Sequence, residues 1–394
     1  MRGKLRPVGS RVPMPIDHER PEFPWESCYR TQFMGSGTEA LSVAIALSVK
    51  LKPGVSSPEA IIPAYGCPDL VAAIISQGVK PVLADLKPDS PWMSASAVSK
   101  AVSSSTVAIV GIGFLGIPER FASLLRVCRE HNLLLVEDSA QCFLPASLSD
   151  PMADCVVLSF GRGKPVNLMG GGALLFRNDS TKAVEPLLAK YPLELRKTGL
   201  VWRLKRWMIN LLLGRTGYKV LELLPLGIGE THFHELHEIR RLQINEELLT
   251  AGIQNCCSRP HADVQYDSEL SELELFGWKL LTKTCKREPS ELRRRFMLRY
   301  PVLAPSRDIR DRALRDLNAA GIGANALYGR ILPDIKGVDA HVMAGSYPMA
   351  SDFAARLLTL PTHEDVKVSD IAVARDVLIA LARHESDSFK RDSA

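Results

Sequence analysis

One lysine of the chain lies among glycines directly after a strand-like apolar run. Ser159-Phe160-Gly161-Arg162-Gly163-Lys164 follows the residues Cys155 to Leu158. A lysine in such a turn can approach a bound ligand closely and out of bulk water, which favours Schiff-base chemistry. Taken by itself, the segment favours a lysine that contacts phosphate or solvent.

A carboxylate ends another apolar run, 26 residues before this lysine. Asp138, in Glu137-Asp138-Ser139-Ala140-Gln141, follows the run Leu133 to Val136. A carboxylate at the mouth of an apolar strand is poorly solvated and needs a cationic partner to stay ionised. A protonated pyridine nitrogen would be such a partner. The alternative is an ordinary helix N-cap.

Small residues precede the first helical pattern of the chain. Gly35-Ser36-Gly37-Thr38 stands immediately before Glu39 to Lys50. Free amides at a helix N-terminus, with the hydroxyls of Ser36 and Thr38, would bind a phosphate. The alternative is an ordinary Ser/Thr cap, which implies no ligand.

A competing motif lies between these segments. Gly111-Ile-Gly113-Phe-Leu-Gly116 fits G-x-G-x-x-G, and Asp138 lies 22 residues beyond its last glycine. This spacing is typical of a dinucleotide fingerprint and would make the chain a dinucleotide-dependent oxidoreductase. However, Pro118 predicts that the helix begins only after the third glycine, whereas the fingerprint needs glycines that open the helix.

Alternating helices and strands would bring the three segments together. Between residues 35 and 176 helical and strand-like patterns alternate. This predicts an α/β three-layer sandwich with a mostly parallel sheet whose carboxyl ends hold the ligand. The later pattern indicates a smaller α+β domain. We therefore expect an N-terminal arm (1–30), a large cofactor-binding domain (31–257) with a basic amphipathic insertion at about 190–230, and a small C-terminal domain (258–394).

Composition argues against several classes of protein. The 394 residues include 49 Lys and Arg and 44 Asp and Glu, and the two signs of charge are interspersed along the chain. This distribution argues against a nucleic-acid-binding protein. The eight cysteines form no regular framework, and neither an export signal nor a membrane-spanning run is visible. We expect a cytoplasmic protein with reduced thiols.

The insertion contains a segment that is both apolar and basic. Between Val201 and Leu226, tryptophan, leucine and methionine residues alternate with arginines and lysines. The pattern suits an interfacial helix attracted to anionic lipid, and thus peripheral membrane contact. We favour a helix whose apolar stripe faces the core, because stripes at this spacing usually do.

Taken together, the segments resemble the nucleotide-sugar aminotransferases of the DegT/StrS family, pyridoxal-phosphate-dependent enzymes of fold type I. Four motifs in the family's order carry the resemblance: Ser36-Gly37-Thr38, Glu137-Asp138-Ser139-Ala140-Gln141, Ser159-Phe160 to Lys164, and Gly171-Gly172-Ala173-Leu174. Weaker similarity follows in three later segments: Tyr300 to Pro305, Ala320-Gly321-Ile322-Gly323 and Leu358 to His363. The resemblance covers most of the chain outside the arms and residues 178–257.

The resemblance implies a role for each site residue. Lys164 would hold pyridoxal 5′-phosphate as a Schiff base and move the proton, Asp138 would pair with the pyridinium nitrogen, and Gln141 would contact the ring. The phosphate would be held by Gly37, Thr38 and Ser159, and Ser36 is a further predicted cofactor-binding residue. The implied reaction moves an amino group from glutamate or glutamine to a keto sugar, expected to be nucleotide-linked, in polysaccharide or glycoconjugate biosynthesis. A homodimer is expected.

Three departures from the family's motifs put the substrate in question. Cys67 stands where the family usually has an aromatic side chain on the cofactor ring, with Tyr65 as a nearby substitute. Gly161 replaces the family's histidine, and Gly170 its glutamate. A catalytically altered protein of the same fold, acting as a sensor or membrane-associated scaffold, is therefore a further hypothesis. A relative that carries out an elimination would normally have the lysine replaced.

Two clusters of charged or metal-binding residues complete the candidates. His232, His234 and His237 suggest a metal by composition, but no fourth ligand follows at a regular spacing, so we predict none. Arg293-Arg294-Arg295 with Arg299 would suit a substrate diphosphate, although an exposed charged face accounts for them equally well.

Overall fold

The structure, a computed structural model, describes residues 3–16, 23–148, 151–223, 231–285 and 296–392. Its strands are β1 (Tyr29–Met34), β2 (Glu59–Pro63), β3 (Lys80–Ala84), β4 (Thr106–Ile112), β5 (Leu134–Asp138), β6 (Cys155–Ser159), β7 (Gly172–Arg177), β8 (Leu193–Leu195), β9 (Arg241–Gln243), β10 (Lys279–Leu280), β11 (Arg299–Leu303) and β12 (Leu357–Pro361). Its helices are α1 (Gly37–Leu51), α2 (Asp69–Ile75), α3 (Ala95–Ala101), α4 (Phe121–His131), α5 (Thr181–Leu188), α6 (Leu200–Leu212), α7 (Arg215–Leu223), α8 (Glu246–Cys257), α9 (Ala262–Glu269), α10 (Leu281–Thr284), α11 (Arg307–Ala319), α12 (Pro348–Arg356) and α13 (Val368–Asp392).

Nine strands form one sheet in the order β3-β2-β4-β5-β6-β7-β1-β9-β8. The first five pair in parallel, and β7 runs antiparallel between β6 and β1. Neighbouring residues of β4 show that both faces are covered, because Ile109 packs into one apolar core and Val110 into the other. Burial on both faces explains the near-continuous apolar runs of these strands. The predicted three-layer α/β sandwich is confirmed.

A second sheet follows along the chain. β10, β11 and β12 are antiparallel, and α9, α11 and α13 pack with them around a separate core that includes Tyr266, Tyr300 and Leu378. This is the smaller α+β unit that the sequence predicts. The domain boundaries at residues 30 and 257 stay predictions.

The N-terminal residues 3–16 pack along both parts of the protein. Leu5 N–H donates to Gly321 O at 2.9 Å, and the buried Arg6 guanidinium pairs with Glu364 at 2.8 Å. His363, from the predicted Leu358 to His363 motif, is buried beside it and bonds Arg6 O through Nε2 at 2.9 Å. This motif therefore anchors the N-terminal segment.

The apolar segment of the insertion does not face the core as predicted. Residues 200–223 form α6 and α7, and Trp202 is buried. Leu204, Trp207 and Leu211 are exposed. The prediction that the apolar stripe faces the core is wrong for these residues, because only the face that carries Trp202 packs inward. The end of the predicted segment, residues 224–226, lies outside the described residues. Within the described residues, no helix has the length and apolarity needed to cross a bilayer.

Candidate active site

A cavity of about 220 Å³ lies where β5 and β6 end and α1 begins. Seven of the predicted site residues line it: Ser36, Gly37, Thr38, Cys67, Asp138, Ser159 and Lys164. They come together because the carboxyl ends of parallel strands meet at one edge of a sheet, where the N-terminus of a packed helix also lies. The three predicted segments and Cys67, all far apart in sequence, thus form one site.

The N-terminus of α1 is shaped by both capping and close packing. Ser36 is extended, and its Oγ accepts the Glu39 N–H at 3.1 Å, so the predicted alternative of a helix cap is realised. A Cβ on Gly37 would lie 2.8 Å from Ser159 Cβ, and one on Gly172 would lie 2.5 Å from Gly37 N. Glycine at both positions lets the first amides of α1 approach the strand ends, which suits a phosphate.

An acid that the sequence analysis did not identify shares the cavity. Asp69 begins α2, and its Oδ2 accepts the Thr38 hydroxyl at 3.3 Å. Its negative charge lies beside the predicted phosphate contacts. The signal in the sequence is its position two residues after Cys67, at the start of a helix.

Lys164 follows a tight turn after β6. Gly163 has a φ of +78°, and the Lys164 N–H donates to Gly161 O at 3.2 Å. A left-handed φ of this kind favours glycine. Lys164 lines the cavity and makes no ion pair with any residue that the structure describes.

Asp138 ends β5 and faces the same cavity. Its Oδ1 accepts the Ala140 N–H at 2.9 Å. Burial raises the pKa of this carboxyl, while that N–H and the charge of Lys164 act in the opposite direction. The next helical turn begins only at Ala146, so the alternative of a helix N-cap is wrong. A cation placed against Asp138 would offset the cost of burying its charge.

Gln141 lies beside the cavity and contacts Tyr328, a residue that the sequence analysis did not identify. Gln141 Nε2 donates to Tyr328 Oη at 2.6 Å, whereas the buried Oε1 has no partner within the described residues. Tyr328 lies after Ala320-Gly321-Ile322-Gly323, one of the similar segments. Only the folded chain brings it to Gln141, which is 187 residues away in sequence.

Cys67 lines the cavity as a neutral thiol. Burial and the nearby Asp69 raise its pKa to about 12, although Lys164 acts in the opposite direction. It therefore supplies a small apolar contact rather than a nucleophile. Tyr65 does not line the cavity and packs instead in an aromatic cluster, with its ring centroid 5.5 Å from that of Tyr328 and 5.3 Å from that of Phe353.

The glycines of the competing dinucleotide motif do not form a ligand site. Gly111 lies within β4, and α4 begins only at Phe121, as Pro118 predicts. A Cβ on Gly113 would lie 2.4 Å from Cys142 Cβ, so protein already fills the space beside this glycine. The segment is a packed crossover loop.

Among the described residues, no member of the remaining clusters lines the cavity. Arg299 is buried away from it, with Nη1 donating to Thr359 Oγ1 at 3.3 Å, and burial lowers its pKa to about 10. Arg293, Arg294 and Arg295 lie outside the described residues. Within the parts of the chain that are described, His232, His234 and His237 belong to no metal-binding group.

These residues fit pyridoxal phosphate. Among the described residues, the cavity offers a lysine that makes no ion pair, a half-buried carboxylate that makes no salt bridge, and a glycine-rich helix N-terminus. Beside the cavity, Gln141 Oε1 is a buried acceptor that has no partner in the described parts of the chain. The lysine suits the aldehyde of the cofactor, and the carboxylate suits its ring nitrogen. The helix N-terminus suits its phosphate, and the Gln141 oxygen suits a ring substituent.

Comparison with known proteins points the same way. The sequence profile of the DegT/DnrJ/EryC1/StrS aminotransferase family matches residues 33–240. The dTDP-4-dehydro-2,3,6-trideoxy-D-glucose 4-aminotransferase of Saccharopolyspora spinosa is 24% identical over 365 residues, which are 89% of this chain and 84% of that protein. The GDP-perosamine synthase of Caulobacter vibrioides is 24% identical over 343 residues, or 85% and 81% of the two chains.

Solved structures share the fold. NtdA from Bacillus subtilis, with bound cofactor PMP, has a TM-score of 0.67 at 15% identity, covering 91% of this chain and 74% of its own. The putative sugar aminotransferase Spr1654 from Streptococcus pneumoniae, in its PLP form, has a TM-score of 0.65 at 16% identity, covering 97% and 99%.

Proposed function

Because the chain belongs to the DegT/DnrJ/EryC1/StrS aminotransferase family, we propose that it moves an amino group from glutamate or glutamine to a nucleotide-linked keto sugar. The observation that carries the proposal is the single cavity shared by Lys164, Asp138 and the N-terminus of α1. The setting that we propose is polysaccharide or glycoconjugate biosynthesis, and the active form is a homodimer.

Pyridoxal phosphate, the cofactor of this family, supplies an electron sink that makes amino-group transfer possible. In our proposal the Lys164 amine would hold this cofactor and, once released from it, would carry the proton that moves during transfer. Asp138 would pair with the protonated ring nitrogen, because a poorly solvated carboxylate and a pyridinium stabilise each other. The first amides of α1 and the Ser159 hydroxyl bind the phosphate.

The other contacts orient the ring. Gln141, held through Nε2 by Tyr328, presents Oε1 toward the cavity in this proposal. Cys67 covers the ring with less surface than the aromatic residue usual in the family, so we expect the ring to be held less firmly.

The names of the relatives support the substrate class. The Saccharopolyspora protein is named for a dTDP-linked dehydro sugar and the Caulobacter protein for a GDP-linked product, and each matches more than four fifths of both chains. Because these two relatives are named for different nucleotides, they support a nucleotide-linked sugar as the substrate class but do not indicate which nucleotide this chain would bind.

The first test is the visible absorption spectrum of the purified protein before and after glutamate, without an acceptor. We expect wild type to carry a visible band that glutamate removes, because Lys164 would hold the cofactor and glutamate would supply the amino group that displaces this lysine. Lys164→Ala should lack both the band and the response. Lys100→Ala, which removes an exposed lysine elsewhere, is the matched control and should behave as wild type.

Two outcomes would contradict the proposal. A wild type that stays colourless after incubation with pyridoxal phosphate refutes the assignment of the cofactor site. A coloured protein that responds to no amino donor supports the alternative of a catalytically altered sensor or scaffold. If glutamate does remove the band, nucleotide-linked keto sugars should restore it faster than the same sugars without the nucleotide.

A further inference from the structure

Helix α6 carries apolar residues on two opposite faces. Its inner face packs through Trp202, and Ile209 lies against the same core. The helix is held to the N-terminal segment, because Asn210 exchanges hydrogen bonds of 2.8 and 3.0 Å with the Val12 backbone and Arg206 Nε donates to Pro13 O at 3.0 Å. The opposite face is therefore fixed outward.

The outward face is a continuous apolar stripe. Its six residues, hereafter the α6 stripe, are 48% to 84% exposed: Leu200, Val201, Leu204, Trp207, Met208 and Leu211. Spacings of three and four residues place them on one side of the helix. Single exposed apolar residues need no explanation, but a contiguous stripe marks an interaction surface.

The stripe lies in a segment that contains bases and no acids. From Arg196 to Leu221 there are seven Lys and Arg residues and no Asp or Glu. Three of them, Lys197, Arg203 and Lys205, are exposed and pair with no carboxylate of the described residues. Arg203 precedes and Lys205 follows Leu204, so they flank the stripe on its two sides.

This charge distribution distinguishes between possible occupants. A second copy docking face to face through the same helix would bring both sets of bases together with no acid between them, which is unfavourable. An anionic bilayer instead supplies negative charge for the bases at the rim and an apolar layer for the stripe. Trp207 is suited to the boundary between the two layers.

We propose that the α6 stripe and its flanking bases seat this protein on the surface of an anionic bilayer. The helix lies in the plane of the interface and does not cross it. This contact is separate from the active-site cavity, whose lining includes no residue of α6.

Trp207 allows a direct test. The other four tryptophans, Trp25, Trp92, Trp202 and Trp278, are buried. The full-length protein loaded with pyridoxal phosphate is mixed with vesicles of phosphatidylcholine, alone or with phosphatidylglycerol, and sedimented. Brominated lipid should quench the tryptophan fluorescence that comes from Trp207, which is the part that Trp207→Phe removes. Sedimentation with vesicles should require phosphatidylglycerol and should decrease with added salt.

Variants separate this stripe from general surface effects. Leu204→Glu should lower vesicle binding by about tenfold or more, because burying one leucine contributes strongly to such binding. Leu275→Glu is the matched control, since Leu275 is 83% exposed on another part of the surface. The control should bind vesicles as wild type, and both variants should keep the unfolding midpoint and visible band of wild type.

Three results would overturn the proposal. One is no sedimentation with anionic vesicles, and another is equal loss of binding in Leu204→Glu and Leu275→Glu. The third comes from light scattering without lipid. If Leu204→Glu converts an oligomer into a smaller species while the control does not, the stripe binds a second copy instead.

Discussion

The glycine at the start of β7 offers a strict test of the proposed phosphate site. In Gly172→Ala the new Cβ would lie 2.5 Å from both Gly37 N and Ser36 C, about 1 Å inside the usual carbon contact of ~3.5 Å. Either the helix N-terminus or the strand must shift by a similar distance. Overpacking of this kind lowers the free energy of unfolding by about 1–3 kcal/mol.

The same shift should reduce cofactor affinity by more than its effect on stability alone would predict. An N–H···O bond of ~2.9 Å that lengthens by ~1 Å is lost. One hydrogen bond to a charged group contributes about 1.5–3 kcal/mol, so the dissociation constant should rise by about 10- to 150-fold. The assay is titration of the apoprotein with pyridoxal phosphate, followed by visible absorbance, beside urea unfolding without cofactor.

Gly54→Ala is the control, because a Cβ there meets nothing within 4 Å. The control should match wild type in both assays. If Gly172→Ala loses stability but keeps the cofactor affinity of wild type, the amides of α1 do not hold the phosphate. If neither property changes, the steric argument itself is wrong.

Three further substitutions probe the site and its surroundings. In the wild type, Thr38 Oγ1 donates to Asp69 Oδ2 at 3.3 Å. Asp69→Asn keeps an acceptor for this hydroxyl but removes a negative charge beside the proposed phosphate contacts. We expect the dissociation constant of pyridoxal phosphate to fall by about fivefold, or ~1 kcal/mol, and weaker binding in the titration would contradict this. Tyr328→Phe removes the partner of Gln141 Nε2. We therefore expect cofactor binding to be about tenfold weaker and the free energy of unfolding to fall by ~1–3 kcal/mol. An unchanged dissociation constant would show that Gln141 is oriented without the Tyr328 hydroxyl. His363→Gln tests a pH effect, since burial lowers the pKa of His363 to about 3, below the ~6.5 of the unfolded chain. The unfolded state therefore binds the extra proton, and stability falls as the pH drops through ~6.5, by about 2 kcal/mol between pH 7 and pH 5. Urea unfolding at these two values should show a smaller loss in His363→Gln, and equal losses would assign the acid sensitivity to other groups.

Local sequence patterns are sufficient to predict the parallel strands of the large sheet. β5 and β6, with Asp138 and Ser159 at their ends, appear in the sequence as apolar runs because both faces of these strands are buried. The helix α1 is equally visible, since its periodicity begins directly after a serine that caps it. The motifs at these boundaries are therefore enough to indicate the cofactor.

Patterns are insufficient where pairing or contact joins distant segments. No local pattern predicts β1, which is a strand because it pairs along its whole length with β7, from Tyr29 opposite Arg177 to Met34 opposite Gly172. The contact between Gln141 and Tyr328 is of the same kind, because it joins the loop after β5 to a loop 187 residues later in the sequence.

The sequence by itself determined the chemistry of the site, namely a lysine, a carboxylate and a helix N-terminus that lie at element boundaries and suit one cofactor. Only the tertiary structure decided which neighbours complete that site and which surfaces stay exposed. Asp69 lines the cavity, Tyr328 contacts Gln141 beside it, and Arg299 is buried away from it. The periodicity of α6 shows only that its apolar residues share a face. Whether that face is buried depends on which elements pack against it, and the structure leaves the α6 stripe exposed.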